Sequence, residues 1–167
     1  MMPLVPMTNF LTSAKENKFA VGQFNVNNLE FVKAIIEAAE EERSPVIFGI
    51  TEGAIKYMGM EFAIAITKAA ADNYDVPVAL HLDHGANFEI VMQCIRAGFS
   101  SVMFDGSHYP LEENIRLTKK VVESAHAVNV SVEGELGTIG GTEDDVNVDE
   151  SQAKLADPAE AIYFWEE

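Results

Sequence analysis

The chain has 167 residues, of which 48% are hydrophobic and 23% charged, the composition of a globular domain with its own core. Its 27 acidic residues outnumber its 11 basic residues and give a formal net charge of −16, which argues against nucleic-acid binding because such a surface repels phosphate backbones. No apolar run is long enough to span a bilayer and no signal-peptide pattern opens the sequence, so we expect no membrane partner. The single cysteine, Cys94, excludes an internal disulfide and suits a reducing compartment, which predicts a cytoplasmic protein.

Five runs of β-forming residues alternate with helical patterns along the chain. The predicted strands cover residues 19–26, 45–50, 76–83, 100–105 and 130–136. One predicted helix begins at the capping residue Asn28, others cover residues 60–73, 87–97 and 111–127, and a last one begins at Asp157-Pro158. The strands are apolar on both faces, as strands covered by helices should be. This alternation predicts an α/β fold with a parallel sheet.

One predicted connection lacks apolar periodicity. Between residues 137 and 156 the chain is rich in glycine and acidic residues. A loop of this length inside a compact domain is usually functional or mobile. Gly140 and Gly141 would serve as a hinge that carries the following acids into a site. The alternative is a disordered acidic excursion.

Polar side chains stand at the ends of the predicted strands. In chain order they are Asn25, Thr51 with Glu52, Asp83 with His84, Asp105, and Glu133 with Glu135. Ligands bind beyond the carboxyl ends of strands in parallel α/β folds, and carboxylates that converge there repel each other unless protons or a cation compensate. A divalent metal with His84 as nitrogen ligand, and with Asp105 and Glu135 nearby, would compensate this repulsion. The alternative is that each acid only caps a helix or accepts a hydrogen bond.

Residues with potential catalytic or metal-binding side chains are concentrated at the end of the third predicted strand. Period-two alternation places His81 and Asp83 on one face of their strand, and Glu133 and Glu135 on one face of theirs. A carboxylate among imidazoles can bind a metal, move a proton, or do both. The simpler alternative is that His81 and Asp83 hydrogen-bond each other in a polar patch.

Several motifs, in order along the chain, resemble those of class II fructose-1,6-bisphosphate aldolases, the metal-dependent kind. They are VGQFNVNN (residues 21–28), HLDHG (81–85), SVMFDGSH (101–108), VEGELG (132–137) and GGTED (140–144). The family fold is a (β/α)8 TIM barrel, so the resemblance implies that residues 1–167 form the N-terminal portion of one barrel domain, with about the first five β/α units.

The resemblance also implies metal ligands. His84 is expected to bind the catalytic Zn²⁺, while Asp105 and Glu135 resemble a second divalent-metal position. His81 and Glu133 are expected to support these ligands by hydrogen bonding, and a monovalent cation is a further expected cofactor. In the family chemistry, zinc acts as a Lewis acid on the oxygens of the substrate.

Proton-transfer and substrate-binding residues follow from the same resemblance. Asp83 is expected to donate and accept the proton at the scissile carbon–carbon bond, and Glu143, on the long loop, to move the proton on the ketone half. Asn25 and Thr51 are expected to contact the phosphorylated sugar. The implied activity is that of a carbon–carbon lyase of glycolysis and gluconeogenesis, which cleaves fructose 1,6-bisphosphate to dihydroxyacetone phosphate and glyceraldehyde 3-phosphate.

The family's other zinc histidines and its phosphate-gripping glycine-rich segments lie on later strands of the barrel. We therefore expect the 167-residue chain by itself to bind zinc weakly and to cleave the bisphosphate slowly or not at all. One alternative is a tagatose-bisphosphate aldolase, which shares the chemistry and differs at one sugar stereocentre. Another is a non-catalytic partial barrel that self-associates, as a homodimer or through exposed barrel edges.

Overall fold

The computed structural model describes residues 4–139, 141–143, 146–149, 151 and 153–167, and of residues 142–143 and 146–148 only the backbone. Within these residues, five parallel strands form one sheet in the order β1-β2-β3-β4-β5. The strands are β1 (Gly22–Asn25), β2 (Val46–Thr51), β3 (Val78–Gly85), β4 (Ser101–Phe104) and β5 (Ser131–Gly134). Because spatial order equals chain order and each neighbouring pair is parallel, the chain is a series of β/α units. The predicted α/β fold is confirmed.

Seven helices accompany the strands in the described residues. They are α1 (Thr8–Asn17), α2 (Leu29–Glu41), α3 (Glu52–Met58), α4 (Met60–Asn73), α5 (Phe88–Ala97), α6 (Leu111–His126) and α7 (Pro158–Glu166). Side-chain caps set several of the starts: Asn28 accepts a hydrogen bond from the Phe31 amide, and Asn87 accepts one from the Ile90 amide, each at 3.0 Å. The sequence predicted α2, α4, α5, α6 and α7, but it missed α1 and the short helix α3.

The long connection after β5 contains a small element that the sequence did not predict. Two short strands, β6 (Gly141–Glu143) and β7 (Val146–Val148), pair antiparallel. The expectation of a segment without secondary structure is therefore wrong for these residues. The predicted hinge residue Gly140 lies outside the described residues.

The two faces of the parallel sheet are covered differently. The face toward helices α2 to α6 carries the main core, with Phe48, Leu80 and Phe104 fully or almost fully buried. The opposite face is covered at the amino ends of the strands by α1, whose Phe10 packs against Ile47 and Ala79 together with Met7. This packing closes one end of the inner face, and among the described residues α1 does not extend over the carboxyl ends of the strands.

The N-terminal segment is tied to the sheet by hydrogen bonds as well as by packing. The amide of Val5 donates to the Val78 carbonyl at 2.9 Å, and the amide of Thr8 donates to Ser131 Oγ at 3.2 Å. These bonds reach the central strand β3 and the edge strand β5, so the N-terminal segment is anchored to the sheet at two separate strands. Elsewhere, Cys94 is fully buried in the core, and none of the described helices has the length and apolarity needed to cross a membrane.

Candidate active site

A β-bulge at the end of β3 brings two adjacent polar residues to the same side of the sheet. Regular alternation would point Asp83 and His84 to opposite faces. The register between β3 and β4 shifts between Leu82 and Gly85, and His84 adopts a left-handed backbone conformation with φ of 48°. As a result Asp83 and His84 both line the cavity at the carboxyl ends of the strands. A non-glycine residue with positive φ at such a place is typical of a functional site.

Gly85 makes this bulge possible because the neighbouring strand leaves no room for a side chain. A Cβ atom there would lie 2.5 Å from the Met103 carbonyl oxygen and 2.8 Å from a methyl group of Leu82. The Gly85 carbonyl in turn accepts a hydrogen bond from the Asp105 amide at 3.0 Å. The end of β3 is therefore locked to the residue that follows β4.

His84, Asp105 and Glu135 form a compact cluster with one ligand atom each, all within 4.8 Å of one another. His84 Nδ1 lies 3.1 Å from Asp105 Oδ2 and 3.4 Å from Glu135 Oε2. Zinc bonds of about 2.0–2.2 Å in tetrahedral geometry place neighbouring ligand atoms about 3.3–3.6 Å apart. The cluster therefore fits a divalent cation in both spacing and donor type.

Protons and charges in this cluster are strongly coupled. The hydrogen bond to Asp105 raises the pKa of His84 to about 9, opposed by burial and assisted by the charges of Asp83 and Glu135. Burial alone would raise the pKa of Asp105, but hydrogen bonds from His84 and Ser107 outweigh it and lower the pKa to about 2. Without a metal, the proton on His84 compensates the converging carboxylates, so a cation that binds Nδ1 must displace that proton.

Asp83 is held by a residue of β1. Gln23 Nε2 donates to Asp83 Oδ1 at 3.1 Å, and Gly49 on the strand between them leaves room for the side chains of Gln23 and Asn25. Gln23, Asn25 and Asp83 border a cavity of about 480 Å³ that Glu133, Glu135 and Met103 also line. The sequence prediction included Asn25 but missed Gln23, although period-two alternation places both on the same face of β1.

His81 is fully buried and links three strands on the inner face. Its Nδ1 lies 2.7 Å from Ser101 Oγ, and its Nε2 lies 3.3 Å from Glu133 Oε2. This contact lowers the pKa of the Glu133 carboxyl, against the opposing effect of burial. His81 thus pairs with Ser101 and Glu133, whereas Asp83 pairs with Gln23, so the alternative of a direct bond between His81 and Asp83 is wrong.

Two further predicted site residues take different positions. Thr51 is buried at the end of β2, and its Oγ1 caps α3 by accepting a hydrogen bond from the Ala54 amide at 3.2 Å. Next to it, Glu52 Oε1 accepts a hydrogen bond from the Ala86 amide at 2.8 Å and so holds the turn after β3. Glu143 ends β6, but its side chain lies outside the described residues.

Comparisons of the sequence with known proteins all point to one family. Residues 5–167 match the family model described as fructose-bisphosphate aldolase class-II. A relative named probable fructose-bisphosphate aldolase, from Bacillus subtilis, is 60% identical over 148 residues, which cover 87% of this chain and 52% of the relative. A fructose-bisphosphate aldolase from Staphylococcus aureus is 56% identical over 151 residues, which cover 89% of this chain and 53% of the relative.

Solved structures agree with this assignment. The YdjI aldolase from Escherichia coli K12 superposes with a TM-score of 0.85 at 33% identity, over 98% of this chain and 58% of that one. A putative fructose-1,6-biphosphate aldolase from Coccidioides immitis superposes with a TM-score of 0.84 at 36% identity, over 95% of this chain and 56% of that one. The chain spans about half the length of the curated relatives that it matches. On the family match over nearly its whole length, the chain belongs to the class-II fructose-bisphosphate aldolase family.

Proposed function

We propose that this chain carries the proton-transfer residue and part of the metal site of an aldolase that cleaves fructose 1,6-bisphosphate. The observation that carries the proposal is the bulge at the end of β3, which turns Asp83 and His84 into the same cavity. One residue of this pair is suited to move a proton and the other to hold a cation. Aldol cleavage needs both functions at adjacent atoms of one substrate.

The proposed metal site consists of His84, Asp105 and Glu135. Their spacing suits a divalent cation, and their donor set of one imidazole and two carboxylates suits Zn²⁺. An ion bound by His84 would supply Lewis-acid polarisation of the substrate's ketone, and Asp105 with Glu135 would provide the second divalent-metal position. Glu133 lines the same cavity as His84 and Glu135, and its contact with His81 would keep the Glu133 carboxylate ionised there. A monovalent cation elsewhere at the site stays a prediction of the family resemblance.

Asp83 would take the proton of the hydroxyl group at the bond that breaks, and return it in the condensation direction. It is only 8% exposed, and the bond from Gln23 engages one of its carboxylate oxygens. The other oxygen remains available to accept a proton from a substrate in the cavity. Asn25, which lines the same cavity, would orient the sugar through its amide.

Glu143 and Thr51 have two further proposed roles. Glu143 would transfer the proton on the ketone half of the substrate, carried there by the connection after β5. Thr51 would contact the substrate phosphate with its hydroxyl hydrogen, since capping uses only its acceptor function. We place the protein in the cytoplasm, where a single buried thiol stays reduced.

A half-exchange experiment tests the proposal. Residues 1–167 replace the corresponding half of the Bacillus subtilis relative, and cleavage of fructose 1,6-bisphosphate is measured with added Zn²⁺. We expect zinc-dependent cleavage, abolished by Asp83→Asn and unchanged by Thr67→Val, which removes a fully buried hydroxyl in α4 far from the site. Cleavage of tagatose 1,6-bisphosphate in preference would favour the alternative substrate. A folded, zinc-loaded hybrid whose activity survives Asp83→Asn would contradict the assignment.

A non-catalytic, self-associating role is the second candidate, and it also has a structural basis. Strands β1 and β5 are the edge strands of the five-stranded sheet in the part of the chain that the structure describes, and large apolar side chains near them are exposed, among them Phe24 (49%) and Trp165 (86%). We propose that the 167-residue chain associates through these edges, against the repulsion of its −16 net charge. Light scattering at rising ionic strength tests this. A monomer at high protein and high salt concentration would exclude edge association.

A further inference from the structure

Asn114 on α6 is a fully buried polar residue with no role in the chemistry described so far. Its side chain is 1% exposed, and it lies in the first turn of the helix that follows β4. Burying a carboxamide costs free energy unless its donors and acceptor are satisfied. Its partners therefore indicate what the residue holds in place.

The first partner is the main chain at a proposed metal ligand. Asn114 Nδ2 donates to the carbonyl oxygen of Glu135 at 2.7 Å. The paired register of β4 with β5 ends at Phe104 and Gly134, one residue before Asp105 and Glu135. Because the sheet ladder stops there and β5 is an edge strand, Asn114 supplies a hydrogen bond to Glu135 beyond the end of the regular strand.

The second partner is the turn that follows the other carboxylate ligand. A Cβ atom on Gly106 would lie 2.0 Å from Asn114 Oδ1, so the carboxamide packs directly against the main chain next to Asp105. The same Oδ1 accepts a hydrogen bond from Thr118 Oγ1 at 3.0 Å, which fixes the orientation of the carboxamide. One side chain thus contacts the main chain at both strand ends that present carboxylates to His84.

We propose that Asn114 is a positioning residue that sets the separation of Asp105 and Glu135 and thereby the affinity of the cluster for a divalent cation. The inference rests on the proposed metal site. Groups that orient metal ligands typically change affinity about 10–100-fold when removed. Asn114 acts on the ligands through their main chain, so we expect the lower end of this range.

The test measures Co²⁺ and Zn²⁺ binding to the full 167-residue chain by absorption spectroscopy and calorimetry. Asn114→Leu keeps the branched shape but removes the donor to Glu135, and we expect about tenfold weaker binding and a changed Co²⁺ spectrum. Gly106→Ala leaves Asn114 intact but pushes its carboxamide away, and we expect the same direction of change. Thr67→Val is the matched control, because it removes a buried hydroxyl in α4 and should lower stability without changing metal affinity.

The outcomes separate this inference from the proposed function. If the wild type binds metal and both variants, still folded by circular dichroism, bind it equally well, the positioning role of Asn114 is excluded and the metal site stands. If Thr67→Val weakens binding as much as Asn114→Leu, the effect is one of general stability and the inference fails. If the wild type binds no metal, the metal site itself fails and the inference with it.

Discussion

Replacement of Gly85 by alanine probes the bulge that brings Asp83 and His84 together. The added Cβ would meet the Met103 carbonyl oxygen at 2.5 Å, Leu82 at 2.8 Å and Val91 at 3.1 Å. Backbone and buried core atoms cannot move aside without cost, and overpacking of this kind destabilises by about 1–3 kcal/mol. For a domain of this size, that loss lowers Tm by about 2–12 °C.

The assay is thermal and urea denaturation of the chain in the presence of a chelator, followed by titration with Zn²⁺. We expect Gly85→Ala to lower both Tm and zinc affinity, because the added methyl pushes apart the strand ends that present His84 and Asp105. Gly53→Ala in α3 is the matched control. Its Cβ would meet its nearest neighbour, Thr51 Oγ1, at 3.6 Å, an ordinary contact. An alanine in a helix there should leave stability unchanged or raise it by up to about 1 kcal/mol.

Gly85→Ala is therefore predicted to lower stability, and Gly53→Ala is not. A Gly85→Ala protein with the Tm of the wild type, within about 1 °C, would show that the close approach of β3 and β4 is not needed for the fold. A protein with lowered Tm and unchanged zinc affinity would separate the bulge from metal binding. Either result would mean that the bulge does not build the metal site.

Two further predictions concern the site, and one concerns the core. Zinc affinity should rise about tenfold per pH unit between pH 6 and 8, because the ion must displace a proton from His84, whose pKa is about 9. A zinc affinity that calorimetry finds to be independent of pH over this range would contradict this prediction. Gln23→Met should lower the turnover of the half-exchange hybrid about 10–100-fold, because Asp83 loses a charge-assisted hydrogen bond. A Gln23→Met hybrid with wild-type turnover would exclude a role of Gln23 in holding Asp83. Cys94 should resist thiol reagents in the native state, because burial raises its pKa to about 12. If Cys94 in the native protein is labelled as fast as in the urea-unfolded protein, its burial is contradicted.

The parts of the fold that depend on local sequence were predictable. Helices α2 and α5 begin at asparagine caps whose partners lie three residues away, and α7 begins at an aspartate followed by proline. Helix α1 lacks a side-chain cap and is held by packing on Ile47 and Ala79, more than thirty residues away in sequence. Helix α3 starts directly at the end of β2, so no polar segment separates the two patterns.

The site was predictable in its residue types but not in its geometry. The ends of parallel strands meet at one edge, which is why His84, Asp105 and Glu135 could be expected to lie together. The bulge that turns His84 inward depends on a contact with Met103 across the sheet, which no local pattern reports. The positioning contacts are equally non-local: Gln23 and Asp83 are 60 residues apart, and Asn114 lies 21 residues from Glu135.

Anomalous diffraction from crystals of the chain soaked in Zn²⁺ would locate the metal site. We expect one strong peak at the carboxyl ends of β3, β4 and β5, within about 2.0–2.2 Å of His84 Nδ1 and of one carboxylate oxygen each of Asp105 and Glu135. The same peak should vanish in His84→Ala. A peak confined to the exposed acidic residues of the helices, with none near His84, would exclude a metal site at His84, Asp105 and Glu135.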